Sequence, residues 1–133
     1  MHKIYYGKVV HGLGKGKELG FPTVNIKLNN NDLYIDCGVY VTVVNVNNQT
    51  CKGMLYVGTR PTFDMLETTI EIHILEFNEV IYNYEISFQI LHKIRDEIKF
   101  DNPESLIKQL YQDKETVYNF ATKGTFENKG SRN

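Results

Sequence analysis

Short hydrophobic segments with alternating polar positions predict a series of β-strands before Asn102. The segments are rich in Val, Ile, Tyr and Thr and are separated by clusters of Gly or Asn. Clear strands are predicted over Lys3–His11, Val39–Val46, Lys52–Val57, Thr68–Phe77 and Tyr84–Ile90, and a weaker one over Thr23–Leu28. The sequence NVNNQTC, which ends at Cys51, has the composition of a hairpin turn.

The pattern changes after Asn102, where apolar residues recur at the spacing of a helix. Asn102 is the predicted N-cap, Pro103 the first helical residue and Gly124 the stop. The apolar stripe, which we interpret as core packing, consists of Leu106, Ile107, Leu110, Tyr111, Val117 and Phe120. Residues 1–124 are therefore expected to form one folded unit, and residues 125–133 a polar tail.

Five or six antiparallel strands followed by one helix predict a small barrel, because closing the sheet removes its edges. The helix can plug or flank such a barrel. The length of 133 residues suits a single domain with a modest core. The sequence does not decide whether the chain is a whole protein or one domain of a larger one.

The overall composition argues against broad electrostatic binding. The net charge is -1, which predicts no general affinity for nucleic acid or anionic membranes but leaves a local basic loop open. No apolar run approaches the about 20 residues needed to cross a bilayer, and the first residues lack a signal-peptide pattern. We therefore expect a cytoplasmic protein in which Cys37 and Cys51 are reduced thiols.

A glycine-rich basic segment, HGLGKGKELGFPTVN, precedes the second predicted strand. Its residues Gly12, Gly14, Lys15, Gly16 and Lys17 could bring backbone amides and positive charge to an anion. The spacing matches neither a Walker A motif nor a dinucleotide-binding fingerprint. A mobile basic loop explains the same residues about as well.

The tetrapeptide that ends this segment adds candidate metal ligands. Pro22 stiffens the backbone, and Thr23 and Asn25 lie on the same face of an extended segment. A hydroxyl and an amide oxygen side by side are hard ligands that suit Mg²⁺. The alternative is an ordinary polar face of a strand.

The segment TTIEIHILEF adds a candidate general base. Ile70, Ile72 and Ile74 are expected to pack inward, which places Glu71 and His73 on the other face. A carboxylate on a rigid strand can accept a proton from a hydroxyl. The alternative is that both side chains are solvated, and this is the interpretation adopted for His73.

Together these segments resemble the riboflavin kinase family in order and spacing, from about Tyr6 to Phe120. The resemblance is carried by GKVVHGLGKGKELGFPTVN, GVY, VGTRPTF, IEIHILEF and IRDEIKFDNPESL. It implies a mainly β fold, a six-stranded antiparallel Greek-key barrel with one C-terminal helix. It also implies Mg²⁺-dependent transfer of the ATP γ-phosphate to the 5′-hydroxyl of riboflavin, which gives FMN and ADP.

The resemblance further implies the roles of individual residues. Thr23 and Asn25 would hold Mg²⁺ and nucleotide phosphate, and Glu71 would activate the riboflavin hydroxyl. The nucleotide loop would comprise Gly12, Gly14, Lys15, Gly16 and Lys17. The flavin would contact the segment before the helix, with Arg95, Asp101 and Glu104 as candidates.

Two departures from the family pattern qualify this interpretation. The usual tetrapeptide is Pro-Thr-Ala-Asn, whereas this chain has Val24, which should point away from Thr23 and Asn25. In many bacteria the kinase domain follows an FMN adenylyltransferase domain, whose nucleotide-binding sequence is absent here, so these residues are not expected to make FAD.

Two rival functions belong to other classes. One is a non-catalytic flavin-binding or regulatory module with the same barrel, although the intact Thr23, Asn25 and Glu71 argue against it. The other is a small barrel that binds single-stranded nucleic acid through a basic groove with interleaved aromatic rings. The net charge of -1 offers no such broad groove, so neither a nucleic acid nor a membrane is expected as a partner.

Overall fold

A computed structural model describes residues 2–10, 19–30, 33–77, 79, 81 and 83–120. These residues form six strands and one helix. The elements are β1 (Ile4–Val10), β2 (Val24–Leu28), β3 (Gly38–Val46), β4 (Gln49–Pro61), β5 (Leu66–Ile74), β6 (Glu85–Arg95) and α1 (Pro103–Asn119). The described part of the chain is therefore mostly β, as the sequence predicts.

The six strands close into an antiparallel barrel with the order β1-β2-β5-β4-β3-β6. Strands β3, β4 and β5 follow one another as neighbours, and β6 returns to lie beside β3. This arrangement is a Greek key. The predicted six-stranded barrel with one C-terminal helix is therefore confirmed.

The β3–β4 hairpin forms where the asparagine cluster predicts it. Val46 pairs with Gln49, and the two residues between them, Asn47 and Asn48, have φ angles of 52° and 63°. Two left-handed residues in a two-residue turn match the twist of the flanking strands, and asparagine tolerates this conformation. The following strand extends to Pro61, beyond the predicted end at Val57.

The helix α1 begins as predicted. The Asn102 side chain accepts a hydrogen bond from the Ser105 amide at 2.8 Å, and Pro103 is the first helical residue. The helix ends at Asn119 rather than near Gly124, because Phe120 is already extended. Gly124 and the predicted tail, residues 125–133, lie outside the described residues.

Two apolar layers hold the molecule together. One fills the barrel, and the other lies between α1 and the outer surface of the barrel, so the helix flanks the barrel. The buried members of this second layer are Phe21, Val41, Met54, Leu75, Leu110 and Val117. The predicted stripe is confirmed at Leu110 and Val117, which are buried, and at Leu106 and Phe120, which pack against this layer. It is wrong for Tyr111, which is 62% exposed beside the Phe21 ring.

Two further observations concern the chemistry of the chain. Cys37 and Cys51 form no disulfide within the described residues, and their reduced state stays a prediction. Within the described ranges, no helix combines the length and apolar character that a membrane span requires.

Candidate active site

A hydrogen bond between two predicted site residues lies on the outer face of the barrel. Ile70 and Ile72 are buried in the barrel core, so Glu71 between them points outward, as predicted. The Thr23 hydroxyl donates to Glu71 Oε1 at 2.9 Å. Residues 48 positions apart in the sequence are thereby joined in one polar site.

Asn25 lies on the same face as this hydrogen bond. It is the cross-strand partner of Glu71, and Val24 is the partner of Ile72. Val24 packs against the barrel core, which confirms that its side chain points away from Thr23 and Asn25. The valine in the tetrapeptide therefore leaves the outer-face arrangement intact.

The side chains at this position fit a hard cation that takes few protein ligands. Thr23 supplies a hydroxyl oxygen, Asn25 a carbonyl oxygen, and Glu71 a neighbouring carboxylate. No group of three or more His, Cys, Asp or Glu side chains that could hold a metal occurs among the described residues. Mg²⁺ suits such a sparse oxygen site because water and phosphate oxygens can complete its coordination shell.

His73 is buried, whereas the sequence predicts a solvated side chain. Its side chain is 7% exposed rather than solvated, because Phe21 covers it with ring centroids 5.3 Å apart. Its Nδ1 lies 2.7 Å from the Pro22 carbonyl oxygen. Burial lowers the pKa of the imidazole, the hydrogen bond to Pro22 opposes this shift, and the nearby Lys114 lowers the pKa further.

A cleft of about 330 Å³ opens beside Glu71. Its walls are the outer surfaces of β3, β4 and β5, the end of β6, the connection from β6 to α1, and the first turns of the helix. Its lining includes Gly38, Tyr56, Glu71, Arg95, Ile98 and Phe100. The cleft therefore places apolar surface next to the polar Thr23–Glu71 pair.

Gly38 lets β3 and the end of β6 approach closely at one wall of the cleft. Its φ is 156°, and a Cβ at this position would lie 2.6 Å from the Arg95 carbonyl oxygen. Any other residue would force β3 and the end of β6 apart.

Arg95, a predicted flavin contact, lines the cleft and forms a hydrogen-bonded ion pair with Asp113 of the helix. Its Nε lies 3.0 Å from Asp113 Oδ2, and its Nη2 lies 2.9 Å from the same oxygen. Gln109 also donates to Asp113, whose side chain is 1% exposed. Sequence reasoning missed Asp113, although its spacing between Leu110 and Val117 puts it on the buried side of the helix.

Tyr56 is a second residue that sequence reasoning missed. It is the cross-strand partner of Glu71, and its hydroxyl is a buried polar atom without a hydrogen-bond partner among the described residues. Burial raises the pKa of the phenol, Asp113 and Glu71 raise it further, and Arg95 acts in the opposite direction. Its outward position could have been read from alternation between Leu55 and Val57.

The remaining predicted site residues fall into two groups. Asp101 and Glu104 are exposed at the start of α1 and are not among the residues that line the cleft. The predicted nucleotide loop lies outside the described residues; its members are Gly12, Gly14, Lys15, Gly16 and Lys17. The roles of all these residues stay predictions.

Two curated relatives match most of this chain. A bifunctional riboflavin kinase/FMN adenylyltransferase from Listeria monocytogenes is 38% identical over 118 residues, covering 88% of this chain and 38% of that protein. The RNA-binding riboflavin kinase RibR from Bacillus subtilis is 41% identical over 111 residues, covering 83% and 47%. The chain thus spans less than half the length of either relative.

Solved structures share the fold. A structure described as a macrolide-efflux protein from Streptococcus pneumoniae has a TM-score of 0.85 at 36% identity and covers 90% of this chain and 40% of that chain. The riboflavin kinase from Trypanosoma brucei has a TM-score of 0.62 at 25% identity and covers 91% and 78%. The model of the family described as Flavokinase, riboflavin kinase, matches residues 2–121. This chain therefore belongs to the riboflavin kinase family.

Proposed function

We propose that this chain is an ATP:riboflavin 5′-phosphotransferase. It binds riboflavin and Mg²⁺-ATP and transfers the γ-phosphate to the 5′-hydroxyl of the ribityl chain. The products are FMN and ADP. Membership of the riboflavin kinase family and the polar site beside the cleft support this proposal.

The observation that carries the proposal is the hydrogen bond from Thr23 to Glu71, 2.9 Å long. Because the Thr23 proton is directed toward the carboxylate, the oxygen lone pairs remain for a cation. Asn25, opposite Glu71 in the ladder, supplies a second oxygen on the same face. One site can thus combine ligands for the metal–nucleotide complex with a proton acceptor.

The chemistry assigned to these residues is phosphoryl transfer. Bound Mg²⁺ would neutralise charge on the phosphate oxygens. Glu71 takes the proton of the riboflavin 5′-hydroxyl as the hydroxyl oxygen forms a bond to the γ-phosphorus. The bond from that phosphorus to the ADP oxygen breaks. Thr23 and Asn25 orient the nucleotide so that attacking and leaving oxygens are in line.

The cleft beside Glu71 is the proposed flavin site. Its volume of about 330 Å³ is within the range of small-molecule pockets. Ile98 and Phe100 offer apolar surface for the isoalloxazine ring, and the position of Glu71 in the wall lets the ribityl end reach the carboxylate. Arg95 remains a flavin candidate at the cleft, and Asp101 and Glu104 would act from outside its described lining.

The experiment that tests the proposal separates turnover from binding in Glu71→Gln. This variant keeps the shape of the side chain but cannot accept the proton. We expect FMN formation to fall by about a hundredfold or more while riboflavin affinity, followed by flavin fluorescence, stays within about twofold. Glu67→Gln is the matched control, because Glu67 is exposed on the same strand and pairs with Arg60.

Near-normal turnover in Glu71→Gln would remove this residue from the role of base. Flavin binding without FMN formation by the unaltered chain would instead favour a non-catalytic flavin-binding module.

The proposal extends to partners and location. The names of several matched relatives include FMN adenylyltransferase. We infer that any such activity in this protein would need residues beyond these 133. No nucleic acid or membrane is proposed as a partner. We infer a cytoplasmic location, which fractionation of cells expressing the protein would test.

A further inference from the structure

The β2–β5 ladder is short where the proposed site depends on it. It contains the pairs Val24–Ile72 and Asn25–Glu71. The next antiparallel pair would join Thr23 and His73, but the structure gives no ladder pair there. The segment that carries Thr23 therefore needs another attachment if its hydroxyl is to remain beside Glu71.

The His73 side chain supplies an attachment at this point. Its Nδ1 lies 2.7 Å from the Pro22 carbonyl oxygen, one residue before Thr23. A carbonyl oxygen can only accept a hydrogen bond, so Nδ1 must carry the proton and donate. The imidazolium ring and the Nδ1–H tautomer of the neutral ring can both donate this hydrogen bond.

Burial makes the attachment rigid. His73 is 7% exposed, and Phe21, which precedes Pro22, is 2% exposed and contacts the imidazole edge-on. Tyr111 also packs edge-on against the Phe21 ring, with ring centroids 5.0 Å apart. A hydrogen bond shielded from water in this way is costly to break, because both polar groups would be left unsatisfied.

We propose that His73 is a positioning residue that holds the Pro22–Asn25 segment against β5, so that Thr23 and Asn25 face Glu71. His73 acts through the Pro22 carbonyl and does not touch the reactants. This role rests on the proposed function, because it assigns a purpose to the placement of the metal–nucleotide ligands.

Two substitutions separate the hydrogen bond from ring packing. His73→Asn keeps an N–H donor the same number of bonds from the backbone as Nδ1 but removes the ring. His73→Phe keeps a ring against Phe21 but removes the donor. His73→Leu serves as a second donor-free variant if the phenylalanine variant does not fold.

The main readout is affinity for Mg²⁺-ADP by calorimetry, which requires no turnover. We expect the donor-free variant to bind about tenfold more weakly and His73→Asn to stay within about twofold of the unaltered chain. The KM for Mg²⁺-ATP should rise in the donor-free variant and stay nearly unchanged in His73→Asn. The KM for riboflavin should not change in either variant. Thermal stability should fall in both variants, because His73→Asn loses the ring contact with Phe21 and His73→Phe leaves the Pro22 carbonyl oxygen without its hydrogen bond.

Two results would overturn the positioning role. One is a donor-free variant that binds Mg²⁺-ADP as the unaltered chain does. The other is a His73→Asn variant that binds Mg²⁺-ADP as weakly as the donor-free variant, which would show that a retained hydrogen-bond donor does not preserve the placement. If the predicted affinity order holds but the unaltered chain makes no FMN, the positioning role stands and the proposed kinase function fails.

Discussion

Neighbouring side chains on one face of β5 have different environments according to what covers them. Glu71 borders the cleft and accepts a hydrogen bond from Thr23, whereas His73 lies beneath Phe21. Alternation with the buried isoleucines predicts which face both residues occupy. It cannot predict that Phe21 covers His73, because that contact joins distant parts of the chain.

Thr23→Val tests the hydroxyl oxygen as a metal–nucleotide ligand. The substitution keeps the branched shape and removes both the hydrogen bond to Glu71 and the ligand oxygen. We expect the Mg²⁺ concentration for half-maximal FMN formation to rise about tenfold. Thr68→Val is the control, since Thr68 is an exposed threonine on β5.

An unchanged Mg²⁺ dependence in Thr23→Val would contradict the assignment of this oxygen. The same rise in the Thr68→Val control would show that the effect does not depend on the site.

The elements around the site are joined by contacts of unequal strength. The β2–β5 ladder is brief, whereas β6 and α1 are linked by the Arg95–Asp113 pair. The Arg95 side chain is 13% exposed and that of Asp113 is 1% exposed, so the ion pair is largely removed from water. This pair fixes the helix that forms one wall of the cleft.

Asp113→Ala tests the attachment of the helix. The substitution leaves the Arg95 cation poorly exposed and unpaired, so we expect the free energy of unfolding to fall by about 3 kcal/mol. Chemical denaturation measures this change. Glu115→Ala, at an exposed position of the same helix, should change it by less than about 0.5 kcal/mol.

A loss below about 1 kcal/mol in Asp113→Ala would show that the pair contributes little to docking of the helix. A double variant, Arg95→Met with Asp113→Leu, should recover much of the lost stability, because it leaves no buried charge.

Local sequence signals predict some elements better than others. Asn47 and Asn48 predict the hairpin because they tolerate the left-handed conformation that its turn needs. Asn102 and Pro103 likewise predict the start of the helix. The extension of β4 to Pro61 carries no such signal, because its last residues are exposed and show no hydrophobic alternation.

At the scale of the whole molecule, the barrel presents its chemistry on the outside. Its interior is filled with apolar side chains, and α1 covers only part of the outer surface. The uncovered part carries Glu71 and its neighbours beside the cleft. Local patterns predict the strands, but the strand order that brings β2 next to β5 depends on long-range pairing, which those patterns do not specify.

Product analysis with the unaltered chain tests the proposed kinase activity itself. Purified protein is incubated with riboflavin and ATP, with and without Mg²⁺, and riboflavin, FMN and FAD are separated by chromatography with fluorescence detection. We predict Mg²⁺-dependent formation of FMN and ADP in equal amounts, with no FAD. Riboflavin that remains unphosphorylated by a folded, flavin-binding chain would contradict this prediction.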